Sequence, residues 1–322
     1  MTKKYSVLSL FSGCGGLDLG FRGDFSFLGK NYEKHNYDLL FANDIDKNAC
    51  NTFLKNFNHS IVCEDVRNFI GDSQNSSLEK ILPKNIDIVL GGFPCQDFSN
   101  AGKRKGFDSE RGTLYQSMVE VVKYTKPNLF LAENVKGLLS IDNGKAIETI
   151  VSDFRKLGYN VKYNLFMTAD FGVPQKRERV VIVGTKEGVL PEFEFPTPIL
   201  SSDNWITLEK AISDLENLDE GEVDNHYWSK ARKNKGQGNS VLKKHEPGPT
   251  MRAEHHGNIE FHWNEKRRLS AREAARIQSF PDNFVFLPST SSAYKQIGNA
   301  VPPVFAWHLA SSVKKFLNYN LA

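Results

Sequence analysis

Up to Thr185 the chain alternates short apolar runs with longer stretches whose apolar positions recur at helical spacing. Val7–Phe11, Leu39–Ala42, Ile86–Leu90, Leu129–Ala132, Val161–Met167 and Val180–Val183 are short and bounded by polar or glycine-rich residues, which predicts strands. Helices are predicted after Gly16, from about Asp46, over Thr113–Tyr124 and over Lys145–Leu157. In the third of these, Leu114, Met118, Val121 and Val122 share a face, and the pattern stops before Lys126-Pro127. Strands alternating with helices predict a parallel sheet covered on both faces, with ligands at the carboxyl ends of its strands.

After Thr185 the texture changes. Pro191, Pro196 and Pro198 mark a linker, and periodicity fades through a polar stretch rich in Lys, Asn and Gly. Arg232–Gly238 reads as flexible and basic. Helices return at Ser270–Ser279 and from about Pro303 to Leu317, so a second, irregular domain is expected between roughly residues 190 and 295.

The 322 residues are 40% hydrophobic and 25% charged, which is enough for one large soluble domain with a smaller one appended. A net charge of +3 permits a polyanionic partner without demanding one. The four cysteines, at 14, 50, 63 and 95, include no C-x-x-C pair, which argues against a structural zinc site and a disulfide scaffold. No apolar run approaches the ~20 residues of a membrane span, and the N-terminal residues lack a signal-peptide core. A reducing cytoplasm and no membrane association are therefore expected.

Candidate chemistry gathers at the predicted strand ends. Gly91–Ser99 (G-G-F-P-C-Q-D-F-S) puts Cys95 behind a proline at the mouth of a buried strand, where it can fill a core, close a disulfide, hold a metal or attack a substrate. In Phe11-Ser12-Gly13-Cys14-Gly15-Gly16, glycines let a ligand approach the backbone and the following helix N-terminus favours negative charge. Asp44, at the next strand end, suits ribose hydroxyls. The loop is not G-x-G-x-x-G, and Asp44 follows it by about 30 residues rather than ~20, which favours a nucleoside cofactor other than NAD. Asp65 is placed either to face an adenine or to cap a surface helix. Glu133 points at the same edge as Cys95 and suits acid catalysis or a hydrogen bond to a ring nitrogen. In an extended Gln175–Arg179, Arg177 and Arg179 share a face and suit a carbonyl, a phosphate or the Glu133 carboxylate; equally, they suit a charged strand edge. Asn100–Arg111 reads as a basic loop able to close over a phosphate backbone, or as plain surface. His245, His255, His256 and His262 fit no zinc spacing, so no metal is expected.

In this order, Phe11–Gly16, Asn43-Asp44, Gly92–Gln96, Glu133-Asn134-Val135, Gln175–Arg179, Arg268–Pro281 (R-L-S-A-R-E-A-A-R-I-Q-S-F-P) and Gly298-Asn299-Ala300-Val301 resemble the DNA (cytosine-5)-methyltransferases. The likeness is to the compact bacterial enzymes of type II restriction-modification systems and covers nearly all of the chain outside its variable middle. Each motif is weak alone; their order is specific. The resemblance implies an α/β, Rossmann-like S-adenosylmethionine-dependent methyltransferase fold, a mixed sheet with helices on both faces, plus a small irregular DNA-recognition domain. Residues 1–190 and 296–322 would form the catalytic and cofactor-binding domain, and 191–295 the target-recognition domain with its hinge.

The implied reaction is methyl transfer from S-adenosyl-L-methionine to C5 of a cytosine flipped out of a specific short duplex DNA sequence, protecting host DNA from a cognate restriction endonuclease. Cys95 would add to C6, Glu133 would donate to N3, and Arg177, with Arg179 beside it, would hold the cytosine carbonyl and orient Glu133. The cofactor would lie against Phe11, Gly13, Gly15 and Gly16, with Asp44 on the ribose and Ile45 and Asp65 near the adenine. Val66, Pro94, Leu114, Asn299 and Val301 would complete that site. Gln96, Ser99, Lys103 and Arg111 would contact the DNA, Ser99 and Arg111 at its backbone. Thr250, in the Thr-Leu-like pair Thr250-Met251, and Arg252 would serve recognition, with Arg252–Asn258 reading base edges. Ile45 departs from the aromatic residue often found there, and Arg22–Asp38 is longer than in the smallest relatives. A cytoplasmic monomer acting on double-stranded DNA is expected, with no stable endonuclease complex. A tRNA methyltransferase is disfavoured because no Cys-Phe-Thr tripeptide precedes Arg268. A non-catalytic DNA binder would have no need of Cys95, Glu133 and Arg177 together, and an NAD-dependent oxidoreductase would carry the dinucleotide fingerprint.

Overall fold

The computed structural model describes residues 3–70, 81–94, 114–189, 192–233, 238–253 and 259–321. Its frame is a seven-stranded sheet with β1 (Tyr5–Leu10) near the middle. On one side of β1 run β4 (Tyr37–Asp44) and β5 (Val62–Cys63), both parallel to it. On the other side come β6 (Ile88–Gly91) and β7 (Leu129–Val135), also parallel, then β9 (Glu178–Lys186) and β8 (Tyr159–Met167). The chain moves one way from β1 to β4 and the other way to β6, so the loops after β1 and β6 flank a topological switch point, where open α/β sheets bind ligands.

The prediction of a wholly parallel sheet fails at one end, where β9 runs antiparallel to both β7 and β8. The connection from Thr168 to Arg177, which opens with a 3-10 segment at Thr168–Phe171, carries no crossover helix, whereas a parallel partner would need a longer crossover. The mixed sheet implied by the family resemblance is the one that forms. It has a positional consequence: the start of β9 lies at the same edge as the ends of β1, β4, β6 and β7. Leu10 is level with Asn43 and Gly91, Gly91 with Ala132, and Val135 with Arg179.

Alternate strand residues feed two cores. Val7, Leu131, Val181 and Val183 face α1 (Gly16–Arg22) and the C-terminal helix. Leu8, Val89, Phe130 and Ile182 face two helices on the other side, Leu114–Thr125 and Lys145–Arg155. The C-terminal helix, Pro303–Leu321, fully buries Val304, Phe305, Leu309, Val313 and Leu317. Each such side chain contributes roughly 1.5–3 kcal/mol by leaving water. The last helix thus completes the core that surrounds the first strand. Arg22–Asp38 contains a hairpin, β2 (Phe25–Phe27) with β3 (Lys30–Tyr32), which the sequence pattern does not announce. Tyr32 stacks on Phe25 and meets the edge of Trp307, so the insertion is anchored to the C-terminal helix.

Between Glu192 and Asn283 regular structure is sparse, and buried arginines replace it as the organiser. Ala271–Ile277 forms a helix with a capping box between Ser270 and Glu273. Arg268, just before it, donates to the carbonyls of Ala231 (2.7 Å), Gly238 (2.7 Å), Arg232 (3.1 Å) and Ile259. The expected flexible run 232–238 is therefore tied down at both ends, its interior 234–237 lying outside the described residues. Arg272 donates to Asp224, Pro281 and Phe284 carbonyls at 2.9, 3.1 and 2.9 Å. The proline-marked linker also packs, with Phe195 against Phe166.

Candidate active site at the carboxyl edge of the sheet

The loop after β1 turns sharply, with Phe11 and Gly13 in the left-handed region at φ 54° and 56°. Ser12 N donates to Asn43 O at 2.9 Å, and Gly13 N donates to Asp44 Oδ2 at 2.7 Å. The other Asp44 oxygen accepts from Asp46 N at 2.8 Å, so the carboxylate is fixed in direction with lone pairs left over. Burial holds the Asp44 carboxyl above the usual carboxylate range, against the lowering effect of these N–H groups. A side chain grown from Gly13 would meet open space within 4 Å, and Ile45 beside Asp44 is 67% exposed. An acceptor pair, a bare backbone and an apolar side chain at one strand end fit a nucleoside bearing ribose hydroxyls.

Gly16 carries the C-terminal segment at close range: a Cβ there would lie 2.4 Å from Val301 O. Asn299 is exposed and Val301 buried. Asp65 hydrogen-bonds Arg67 N and pairs with the Arg67 guanidinium at 2.5 Å, which makes it the cap of the short helix Arg67–Ile70. Val66 beside it is buried, and Leu114 begins the helix Leu114–Thr125, which packs in the second core. Two further groups beside the loop are raised by burial as Asp44 is. Asp18, 4% exposed in the first turn of α1, has its carboxyl pushed up to about 6 by burial, which the Ser9 hydroxyl offsets only in part. Cys14 is also buried, and burial with Asp44 nearby pushes its thiol far up, so this loop cysteine is an inert one.

At the next strand end, Pro94 is exposed and leads to Cys95; Cys95, Gln96, Ser99, Lys103 and Arg111 all lie outside the described residues. Glu133 is not beyond its strand, as the pattern predicts, but inside β7, opposite Val181 of β9. Arg179, two residues along β9 on the same face, reaches it diagonally, with Nε 2.8 Å from Glu133 Oε1. Asn134 Nδ2 donates to Phe93 O at 2.9 Å, which fixes the approach to Pro94. Glu133 Oε2 lies 3.9 Å from where a Gly92 Cβ would be, so this carboxylate borders the Gly92–Pro94 turn.

The structure divides the arginine pair. Arg179 takes the part of orienting Glu133 that the resemblance implies for Arg177, because β9 starts at Glu178 and only Arg179 is in register with β7. Arg177 instead donates to Met251 O (2.8 Å), Gly298 O (2.8 Å) and Ala300 O (3.2 Å). Burial pulls both guanidiniums below the usual arginine value; Glu133 counters this most strongly at Arg179. Thr250 Oγ1 donates to Lys176 O at 2.9 Å, and Met251 N to Gln175 Oε1 at 2.9 Å. Arg252 is exposed, and 254–258, the remainder of the expected base-reading stretch, lies outside the described residues. Asn134 and Gln175 stand inside quoted motifs, but their roles were not legible, because a buried amide's partner is fixed only once the strands are placed.

Residues 5–246 and 201–315 match the family model described as C-5 cytosine-specific DNA methylase. The chain is similar to the type II methyltransferase M.NgoFVII of Neisseria gonorrhoeae, 36% identical, with 99% of this chain and 89% of the relative covered. It is also similar to M.FnuDI of Fusobacterium nucleatum, 34% identical over 97% and 94% of the two chains. Among solved structures, a putative prophage-encoded DNA modification methyltransferase from E. coli superposes with a TM-score of 0.67 at 24% identity, covering 98% of this chain and all (100%) of that one. The Entamoeba histolytica methyltransferase EhMeth gives 0.70 at 18% identity, covering 98% and 99%; these two likenesses concern the fold.

Proposed function

The chain belongs to the C-5 cytosine-specific DNA methylases, and from that premise we propose that it methylates C5 of a flipped-out cytosine within a specific short duplex sequence, through a covalent Cys95–C6 adduct. The observation that carries the reading is the Arg179–Glu133 ion pair beside the Gly92–Pro94 turn that delivers Cys95.

C5 of cytosine is a weak nucleophile until the ring loses aromaticity. Addition of the Cys95 thiolate to C6 moves the ring electrons toward N3 and C5, and Glu133, in its protonated form, donates its proton to N3 and takes it back when Cys95 is eliminated. Arg179 holds Glu133 in direction. S-adenosyl-L-methionine, when bound, supplies the electrophilic methyl group; the Gly13 backbone, the Asp44 carboxylate and Ile45 would hold it, with Gly15, Asn299 and Val301 around them. Once C5 carries the methyl group, its proton leaves to solvent and Cys95 is eliminated, restoring the ring. In this reading 1–190 and 296–322 are the catalytic domain, 191–295 reads the sequence, and the basic stretch 100–111 closes on the phosphates. The biological pairing is with a restriction endonuclease whose site is thereby protected. Incubating the protein with tritiated S-adenosylmethionine and plasmid DNA or tRNA tests the reading: label on DNA cytosine is expected, and label on tRNA alone would overturn it.

A further inference from the structure

Arg177 is 1% exposed, and its guanidinium contacts backbone carbonyls rather than a carboxylate. Burying a cation this way is costly unless its geometry is needed, because an apolar side chain of similar volume would fill the space without desolvation. The planar fork does something that volume does not. One arm holds Met251, 74 residues away in sequence; the other holds Gly298 and Ala300, 121 and 123 residues away. The first segment belongs to the proposed recognition domain and the second carries Asn299 and Val301, the proposed cofactor contacts. With the carbonyls on both sides of it fixed, Asn299 is the one exposed residue between buried neighbours, aimed outward in a set direction.

A second contact joins the same segments independently. A Cβ on Gly298 would lie 2.4 Å from both Ala253 N and Arg252 C, so the two backbones touch where any side chain would part them. Gln175 and Gln278 close the circuit: Gln175 accepts from Met251 N at 2.9 Å and donates to Gln278, which donates to Ala300 O at 2.5 Å.

Building on the proposed function, we propose that Arg177 is a positioning residue that couples target-DNA binding to cofactor binding, by locking the segment 250–253 to the segment 298–301. Displacement of either segment by its ligand then shifts the other, and linkage makes the effect reciprocal. The test takes a duplex oligonucleotide bearing the site that the wild-type protein methylates in plasmid DNA. Affinity for S-adenosylhomocysteine is measured by calorimetry with and without this duplex, in wild type, Arg177→Lys and Gly298→Ala, each first checked for a cooperative melt. Wild type should bind at least about fivefold more tightly with duplex present. In both variants that ratio should fall toward one: lysine cannot bridge both segments, and the added methyl parts them with Arg177 intact. A merely structural role would lower the separate affinities and leave the ratio unchanged. A wild-type ratio of one overturns the coupling, as do variants that keep the wild-type ratio; if either variant fails to melt cooperatively, the other and the wild-type ratio decide. Absence of any methylated site in plasmid DNA would instead remove the proposed function, and the coupling with it.

Discussion

Arg179 Nε stands 2.8 Å from Glu133 Oε1 because the antiparallel register of β7 and β9 puts Val181 opposite Glu133 and Arg179 one step along the same face. Arg179→Ala would leave a nearly buried carboxylate with no cation at that distance. Single-turnover methylation should slow by roughly 10²–10³, the cost of losing one preorganised charge partner. Arg179→Lys should recover part of that rate. An unchanged rate in the alanine variant would take Arg179 out of the reaction.

Cys95→Ser should abolish turnover and leave duplex binding, measured by gel shift, close to wild type. A serine hydroxyl is far less ionised and less nucleophilic than a thiol near neutral pH. Cys14→Ser should keep turnover, since burial already holds that thiol protonated. Methylation surviving in the Cys95 variant would refute the covalent route.

Asp18 gives a pH signature. Its carboxyl is pushed up to about 6 in the folded protein, above its ordinary value, so the folded state binds the proton more tightly than the unfolded one. Stability should therefore fall as pH rises from about 4 to about 6 and stay at the lower level above that. Asp18→Asn removes the buried charge and should stabilise the protein at pH 7 by up to about 3 kcal/mol, with the advantage shrinking toward pH 4. Thermal melts across that range check it; a constant offset would exclude Asp18 as the titrating group.

Arg268→Ala should cost on the order of 3 kcal/mol, since the carbonyls of Ala231, Gly238, Arg232 and Ile259 lose their donor together. The loss falls on the segments between Glu192 and Asn283, so duplex affinity should drop more than affinity for S-adenosylhomocysteine. Denaturant midpoints and the two binding constants measure this; equal losses in both would contradict it.

The sheet and its edge chemistry were legible because apolar runs and glycine turns are local signals. Asp44, Glu133 and Arg179 could be placed on one edge by reading strand ends. Strand direction was harder: β8 and β9 look like any other apolar runs, and only the lack of a crossover helix between them betrays the reversal. The division of labour between Arg177 and Arg179 was not legible, because it depends on where β9 begins relative to β7, a register that two arginines at alternate positions do not encode. The hairpin in Arg22–Asp38 escaped notice since its strands are short and gain their burial from Trp307, far along the chain. The stretch between Glu192 and Asn283 stayed opaque for a related reason. Its order comes from single arginines gathering carbonyls, which has no period.

Tyr5 Oη donates to Asn318 Oδ1 at 2.9 Å across 313 residues, and α1 rests on the helix that ends the chain. During synthesis that helix emerges long after β1. At 5–20 residues per second, β1 and the buried face of α1 wait on the order of tens of seconds before their cover emerges from the ribosome. Until then Leu17, Leu19 and Phe21 lack the surface that buries them, and the loop after β1 lacks Val301 behind Gly16. A chain whose synthesis has only just passed α1 thus presents an apolar face that Pro303–Leu321 has still to cover.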